Sequence, residues 1–341
     1  MKIAGLICDY NRNIDETIEL IHQAKSITQS DILILIMAGH FTQRGEPTYI
    51  DKWQRTSLAL NQGIDLVIEL PYAYATQNPN EYAKAAVELL KLAECNTLVF
   101  ESETNNLEEL QVLADCSFRI NSLIEKQASS IPYPDSYGYQ LGAYFPNDIL
   151  ALAYLRAIKS NSITPNSIQA PLPRLLRDPK SMNQGVSWND YYPYLRLKLQ
   201  TLPADILNSI FLVDEGLINH LIEQSKNYAT YDEFMMHAIK RRYTKQKIQR
   251  ALVHILTHTS QADILNLSEL NYLRVLGFNK TGQIYLKQLK LKEIKVVSRF
   301  NQIPLKYRAM EYKATLSYAF ALNTIERDAL IQREIEEPVI V

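Results

Sequence analysis

Six basic residues cluster in one short stretch of the chain, in a pattern suited to binding polyanions. They are Lys240, Arg241, Arg242, Lys245, Lys247 and Arg250, with Tyr243 between them. Cationic side chains neutralise phosphates and release counterions, and an aromatic ring can stack on an unpaired base. The surrounding residues 226–308 carry 16 basic and 5 acidic residues, whereas residues 1–225 carry 17 and 26. The cluster therefore predicts an RNA-binding face. The alternatives are a basic face that pairs with the acidic first part of the chain and a face that binds a protein partner.

Side chains that could bind a metal or form disulfides are sparse. The three cysteines, Cys8, Cys95 and Cys116, are far apart in sequence, and no CxxC or paired His/Cys spacing occurs. This argues against a structural zinc site and against a disulfide framework. The first residues lack the plan of a signal peptide, and no apolar run reaches the roughly 18 residues of a membrane span. We therefore expect a cytoplasmic protein with no metal and no membrane segment.

An alternation of strands and helices must position any site in the first hundred residues. Apolar runs predict buried strands at 2–8, 31–37, 64–70 and 96–100, and helical spacing predicts helices at 14–28, 51–61 and 80–93. Continuously apolar strands separated by helices are typical of a parallel sheet covered on both faces. In such sheets ligands bind beyond the carboxyl ends of the strands. These ends are predicted to lead into segments 9–17, 38–47 and 101–105.

The chain divides into two parts by this pattern. Residues 1–170 are predicted to form an α/β domain with a Rossmann-like parallel sheet, and 171–187 a loop or linker. Residues 188–341 are predicted to form a mainly helical, basic domain. Its clearest helix covers 243–258, and a stripe beside the apolar face carries Lys247, Arg250, His254 and His258. The predicted RNA-binding face lies on this helix.

One block of the sequence is highly specific. Residues 39–71 read GHFTQRGEPTYIDKWQRTSLALNQGIDLVIELP. This resembles the SGNFxQRGEP…DKWxRxxMALxxGxDLVxELP block of bacterial tRNA(Met) cytidine acetate ligases. Further matches are FESE at 100–103, PNDILALAYL at 146–155, KRRYTKQKIQRALVHIL at 240–256 and YLRVLGFNKTGQIYLKQL at 272–289. The resemblance implies a HIGH-type nucleotidyltransferase fold followed by a helical RNA-binding part.

The resemblance also implies a chemistry. Members of the family activate acetate with ATP, and N4 of the wobble cytidine in elongator tRNA(Met) attacks the acetyl-adenylate. Two motif histidines and a glycine follow the first strand in the family, and the aligned residues here are Ile14, Thr17 and Glu16. The histidines donate hydrogen bonds to phosphate oxygens as charge builds during adenylyl transfer. Ile14 and Thr17 cannot supply paired imidazoles.

Other family nucleotide contacts also differ. A family glycine aligns with Glu101 and a family arginine with Ala170, whereas Asn147 matches a family nucleotide contact. His40, in the loop after the second predicted strand, is a further candidate for contact with phosphate or RNA; loops at strand ends commonly carry sites.

These residues together predict a divergent relative of the ligases. Its ATP and acetate activation is expected to be lost or impaired, with no bound cofactor and with tRNA or another structured RNA as partner. The alternative is a working ATP-dependent tRNA cytidine acetate ligase or adenylyltransferase with a rebuilt pocket.

Overall fold

The structure, a computed structural model, describes residues 1–9, 11, 14–115, 148–159, 163–169 and 185–341, with the backbone alone at 14–17 and 168–169. At its centre is one mixed sheet in which eight strands are described. The strands are β1 (Ile3–Ile7), β2 (Ile32–Ala38), β3 (Leu66–Leu70), β4 (Thr97–Ser102), β5 (Thr164–Gln169), β6 (Leu273–Phe278), β7 (Val296–Val297) and β8 (Val339–Ile340).

Helices connect the strands and form most of the second half of the chain. In the first part they are α1 (Ile14–Thr28), α2 (Lys52–Asn61), α3 (Tyr72–Ala75), α4 (Pro79–Leu92) and α5 (Asp148–Ile158), and residues 107–115 are also helical. The later helices are α6 (Trp188–Thr201), α7 (Ala204–Ser209), α8 (Glu215–Asn227), α9 (Tyr231–Ala238), α10 (Lys245–Thr257), α11 (Gln261–Leu265), α12 (Lys280–Leu291), α13 (Leu305–Ala319) and α14 (Thr324–Glu334). Within the described ranges, none of the helices has the length and apolar character needed to cross a membrane.

Five strands form the parallel part of the sheet, in the order β5-β4-β1-β2-β3. Every residue of β1, β2 and β3 is buried, because helices cover both faces of the sheet. Apolar side chains on both faces explain why these strands are continuous hydrophobic runs rather than alternating patterns. The predicted Rossmann-like α/β fold, followed by a mostly helical part, is confirmed.

The second half of the chain also contributes to this sheet. Strand β6 pairs antiparallel with β3, and β7 and β8 both pair with β6. The sequence pattern predicts mostly helices after residue 188 and does not predict β6. Its run LRVLGF is short, and an arginine and a glycine interrupt its apolar residues, so no clear period of two appears. The sheet therefore takes strands from both ends of the chain.

Candidate functional site

The carboxyl edge of the parallel strands is organised around Asp9, which follows β1. Its Oδ1 accepts hydrogen bonds from the Tyr82 hydroxyl at 3.1 Å and from the Ala38 amide at 3.4 Å. Its Oδ2 accepts from the Gln43 amide at 3.3 Å. Burial raises the pKa of Asp9, and the Arg55 guanidinium opposes that rise. The carboxylate thus ties the end of β1 to the loop that follows β2.

Arg55, in helix α2, contacts the same edge of the sheet. The Asp51 carboxylate caps this helix by accepting hydrogen bonds from two backbone amides, which fixes the helix start. The fully buried Arg55 guanidinium donates to the carbonyls of Asp9 at 2.6 Å and Ala38 at 3.2 Å, and also to the Gly39 carbonyl. Burial lowers the pKa of Arg55. This arginine of the DKWQR segment therefore ties together backbone carbonyls at the ends of two neighbouring strands.

At the end of β4, the turn within segment 101–105 donates hydrogen bonds to the carboxylate of Asp148. Asp148 begins α5 and is almost completely buried. Its Oδ1 accepts from the Ser102 hydroxyl at 2.9 Å and the Glu103 amide at 2.7 Å, and its Oδ2 accepts from the Thr104 amide at 3.2 Å. A single carboxylate thereby satisfies the donors of this turn. The preceding residue, Asn147, lies outside the described residues.

The residues aligned with the family histidines lie at the same edge. Ile14 and Thr17 are in the first turn of α1, a few residues after β1 ends. Only their backbone is described, and Ala170, aligned with a family arginine, lies outside the described residues. The backbone of this helix start is therefore described, with the sequence Ile-Asp-Glu-Thr.

His40, the candidate for a phosphate or RNA contact, is buried, and neither of its ring nitrogens has a hydrogen-bond partner among the described residues. It is 3% exposed and stacks on Tyr318 with ring centroids 4.6 Å apart. Burial lowers the pKa of His40 far below its usual value, and the nearby cations Lys52 and Arg55 lower it further. The imidazole is therefore neutral and packed between the sheet and α13.

Beside His40 lies a fully buried ion cluster, formed by Lys52, Glu69, Arg274 and Glu334. The Lys52 ammonium lies 2.8 Å from a carboxylate oxygen of Glu69 and 2.8 Å from one of Glu334. The Arg274 guanidinium lies 2.5 Å from Glu69 and 2.8 Å from Glu334. Two cations and two anions thus join α2, β3, β6 and α14. Sequence reasoning missed this cluster, although a glutamate and an arginine inside otherwise apolar strands are a usable signal.

A tight turn presents the first part of the predicted RNA-binding cluster. Lys240 and Tyr243 exchange backbone hydrogen bonds of 3.1 Å and 2.9 Å, which places Arg241 and Arg242 at the tip. Lys240, Arg241, Arg242 and Lys245 are exposed, and within the described part of the chain none of them pairs with a carboxylate. The buried Tyr243 ring supports the turn, and its hydroxyl donates to Asp214 at 3.2 Å.

The other two residues of the cluster differ from these four. Lys247 lies 3.5 Å from the Asp214 carboxylate, so one acidic residue of the first part of the chain does pair with this helix. Arg250 packs under the loop after β2, with Nη1 3.5 Å from the Gln43 carbonyl, and burial lowers its pKa to about 10. A Cβ added to Gly45 of that loop would lie 2.3 Å from the Arg250 amide nitrogen. The expectation that Arg250 belongs to an open basic face needs correction, because the loop covers much of it.

His254 also does not lie on the exposed stripe that helical spacing predicts. It is fully buried, and its Nδ1 lies 3.0 Å from the Tyr72 hydroxyl. Burial lowers the pKa of His254 to about 3, so the ring is neutral at physiological pH. The exposed basic surface is thus the turn at 240–243 and the first residues of α10. Within the described ranges, no group of three or more His, Cys, Asp and Glu residues could hold a metal ion.

Comparisons with known proteins agree with this architecture. The model of the HIGH Nucleotidyl Transferase family matches residues 1–171 and 163–332. The tRNA(Met) cytidine acetate ligase of Limosilactobacillus reuteri is 30% identical over 332 residues, covering 85% of this chain and 87% of that protein. That of Bacillus subtilis is 29% identical over 386 residues, covering 95% of this chain and 93% of that protein.

Solved structures share the fold over the whole chain. Thermotoga maritima TmcAL in its apo form has a TM-score of 0.86 at 21% identity, with 100% of both chains covered. The same protein bound with alpha-thio ATP has a TM-score of 0.86 at 22% identity, again with 100% of both chains covered. The chain therefore belongs to the HIGH nucleotidyltransferases and, among them, to the tRNA(Met) cytidine acetate ligase family.

Proposed function

We propose that this chain is an RNA-binding member of the ligase family in which ATP-dependent activation of acetate is lost or impaired. The observation that carries the proposal is the first turn of α1, which reads Ile14-Asp15-Glu16-Thr17 and starts a few residues after β1 ends. At this helix start the family motif supplies two imidazoles and a glycine. A helix N-terminus with exposed amides attracts phosphate, and adenylyl transfer needs further donors there as charge develops.

The residue types in this turn oppose that chemistry. Ile14 has no side-chain donor and Thr17 has a single hydroxyl, so neither residue replaces an imidazole N–H that donates to phosphate oxygens. By residue type, Asp15 and Glu16 add two negative charges to a helix start that binds phosphate in the family motif. Each like-charge contact at a few ångströms costs roughly 1–4 kcal/mol at moderate to high dielectric. Loss of one preorganised donor alone slows related chemistry by about 10²–10³-fold, so combined losses predict little or no activation.

Exchange of pyrophosphate into ATP in the presence of acetate tests this part of the proposal. We expect no exchange above the rate without protein. Exchange near the rate of an intact family member would establish the alternative, a working ligase or adenylyltransferase with a rebuilt pocket. In that case millimolar ATP would also raise the unfolding temperature, since a ligand that binds only the folded state stabilises it.

The proposed RNA binding is supported by the exposed cations of the basic turn. Lys240, Arg241, Arg242 and Lys245 lie on one short segment without carboxylate partners among the described residues, so their charge is available to phosphates. The relatives are named for tRNA(Met), and we propose tRNA as the RNA bound here. A tRNA partner places the protein in the cytoplasm. Asn147 remains a proposed nucleotide contact.

Charge reversal at the turn tests the RNA part separately. We expect the triple variant Arg241→Glu, Arg242→Glu, Lys245→Glu to lose most of its tRNA affinity while keeping its circular dichroism spectrum, because the three side chains are exposed. The matched control reverses three exposed lysines of α12, Lys280, Lys287 and Lys290, with the same change in net charge.

The control variant should lose much less affinity than the turn variant. Wild-type affinity should fall with salt, with a log–log slope of about 0.7–0.9 per phosphate neutralised. Equal losses in the two variants would reduce the interaction to non-specific attraction. If the wild-type protein shows no RNA affinity at low salt, the RNA proposal is wrong and the turn is instead a candidate surface for a protein partner.

A further inference from the structure

Two aromatic rings stack at the surface where α8 and α9 meet. The ring centroids of Tyr228 and His237 lie 4.1 Å apart, and the two planes are parallel within 1°. His237 is exposed and Tyr228 is half-buried, so the stack lies at the boundary between protein and solvent. Neither residue belongs to the basic cluster or to the carboxyl edge of the sheet. A parallel stack of this kind has the geometry onto which a third flat ring can be added.

The backbone around the stack is fixed on both sides. Tyr228 is the residue that ends α8, and its amide donates to the Gln224 carbonyl at 3.0 Å. Its own carbonyl accepts a hydrogen bond from the Tyr192 hydroxyl at 2.9 Å. Helix α9 starts at the Thr230 cap, whose hydroxyl accepts from the Glu233 amide at 3.3 Å. The rings are therefore preorganised, and a ligand that stacks on them orders little additional chain.

The same framework carries the basic turn. His220 of α8 contacts the Ala238 carbonyl through Nε2 at 3.0 Å and the Lys240 ammonium through Nδ1 at 3.2 Å. Along α8, His220 and Tyr228 are separated by about 12 Å at the usual helical rise. His237 precedes Lys240 by only three residues. The ring stack and the basic turn are thus both connected to helices α8 and α9.

We propose that the Tyr228–His237 stack is a platform for one unpaired base of the RNA whose phosphates the basic turn binds. This inference rests on the proposed RNA binding. Phosphate contacts hold any nucleic acid strand, whereas stacking on an aromatic ring requires a base that is not already paired and stacked in a duplex. The combination selects a loop or other single-stranded segment.

The test compares two RNA probes that carry the same number of phosphates, a stem–loop with an unpaired loop and a blunt duplex. We expect His237→Leu to weaken stem–loop binding by about 5- to 150-fold, which is the range for losing one base stack. Duplex affinity should stay unchanged. His237→Phe keeps a flat ring and should retain stem–loop affinity. Met236→Leu, on the same helix and 72% exposed, is the matched control and should behave as wild type.

The salt dependence separates stacking from charge. His237→Leu should leave the log–log salt slope of stem–loop binding unchanged, because no phosphate contact is removed. Arg242→Met, in contrast, should lower that slope by about 0.7–0.9 and weaken both probes. Stem–loop binding by His237→Leu at wild-type strength, or equal losses on both probes, would overturn the platform while leaving RNA binding intact. Absence of wild-type binding to either probe would overturn the platform and the proposed RNA function together.

Discussion

Replacement of Lys52 by methionine probes the buried ion cluster most directly. In the wild-type protein its ammonium lies 2.8 Å from both Glu69 and Glu334, and all three side chains are 0% exposed. Without Lys52, Arg274 remains as the one cation of the cluster opposite two buried carboxylates. Breaking a buried pair by removing one partner costs about 3–5 kcal/mol, because the remaining charge keeps its desolvation penalty. We therefore expect Lys52→Met to lower the free energy of unfolding by about that amount.

A double-mutant cycle shows whether charge imbalance is the cause. The variant Lys52→Met, Glu334→Gln leaves the Arg274–Glu69 pair, which lies at 2.5 Å and is electrically balanced. Its loss of stability should be smaller than the sum of the two single losses, with a coupling of about 1–3 kcal/mol. Urea unfolding followed by circular dichroism gives each value. Lys91→Met serves as control, since its pair with Glu88 lies on the surface and contributes about 0–1 kcal/mol.

A free energy of unfolding for Lys52→Met within about 1 kcal/mol of the wild-type value would contradict this expectation, because a desolvated and unbalanced carboxylate destabilises the fold by more than that. Absence of coupling in the double variant would contradict it as well. In that event the cluster would be accessible to water in solution, and its four charges would stabilise the fold no more than surface pairs do.

Four further substitutions test other parts of the structure. Gly45→Ala adds a Cβ 2.3 Å from the Arg250 amide nitrogen at a φ of 76° and should lower the free energy of urea unfolding by about 2–5 kcal/mol. Gly63→Ala, at a φ of 102°, meets only the flexible end of a lysine and should lower it by about 1–3 kcal/mol. Burial raises the pKa of Glu311 from 4.5 to about 8. Its contribution to the free energy of unfolding is therefore complete below pH 4.5 and is lost as the pH rises toward 8. Glu311→Gln should therefore gain stability relative to wild type by up to roughly 1.4 kcal/mol per pH unit across that window, and a constant difference would contradict the shift. Burial lowers the pKa of His254 from 6.5 to about 3, so wild-type stability should fall as the pH drops through that range. In His254→Gln the loss of stability over the same pH range should be smaller.

Sequence patterns were sufficient for the parallel sheet because its strands are buried on both faces. The runs at 2–8, 31–37 and 64–70 contain few polar residues, so their type and approximate ends could be predicted from composition. The helix predicted at 243–258 is α10, which ends at the left-handed residue His258. Strand β6 could not be predicted in this way, since Arg274 breaks its apolar run and the partner of that arginine is distant in sequence.

The candidate site shows the same division. Lys52 and Arg55 look like surface residues by type, and nothing near them in sequence indicates burial. Their partners come from far away, as the contact between Lys52 and Glu334 spans 282 residues. Helical spacing alone predicts that Arg250 lies on the open basic face. The loop that covers it lies 207 residues earlier, and single-sequence periodicity carries no information on such contacts.

The position of β6 in the sheet has a consequence for synthesis on the ribosome. Strand β3 leaves the ribosome about 200 residues before β6, which at roughly 5–20 residues per second is a delay of about 10–40 seconds. During this interval one edge of β3 is open, and Glu69 is without Arg274 and Glu334. An unpaired strand edge of this kind is a template for pairing with other chains. The nascent first half is therefore the species most in need of a chaperone.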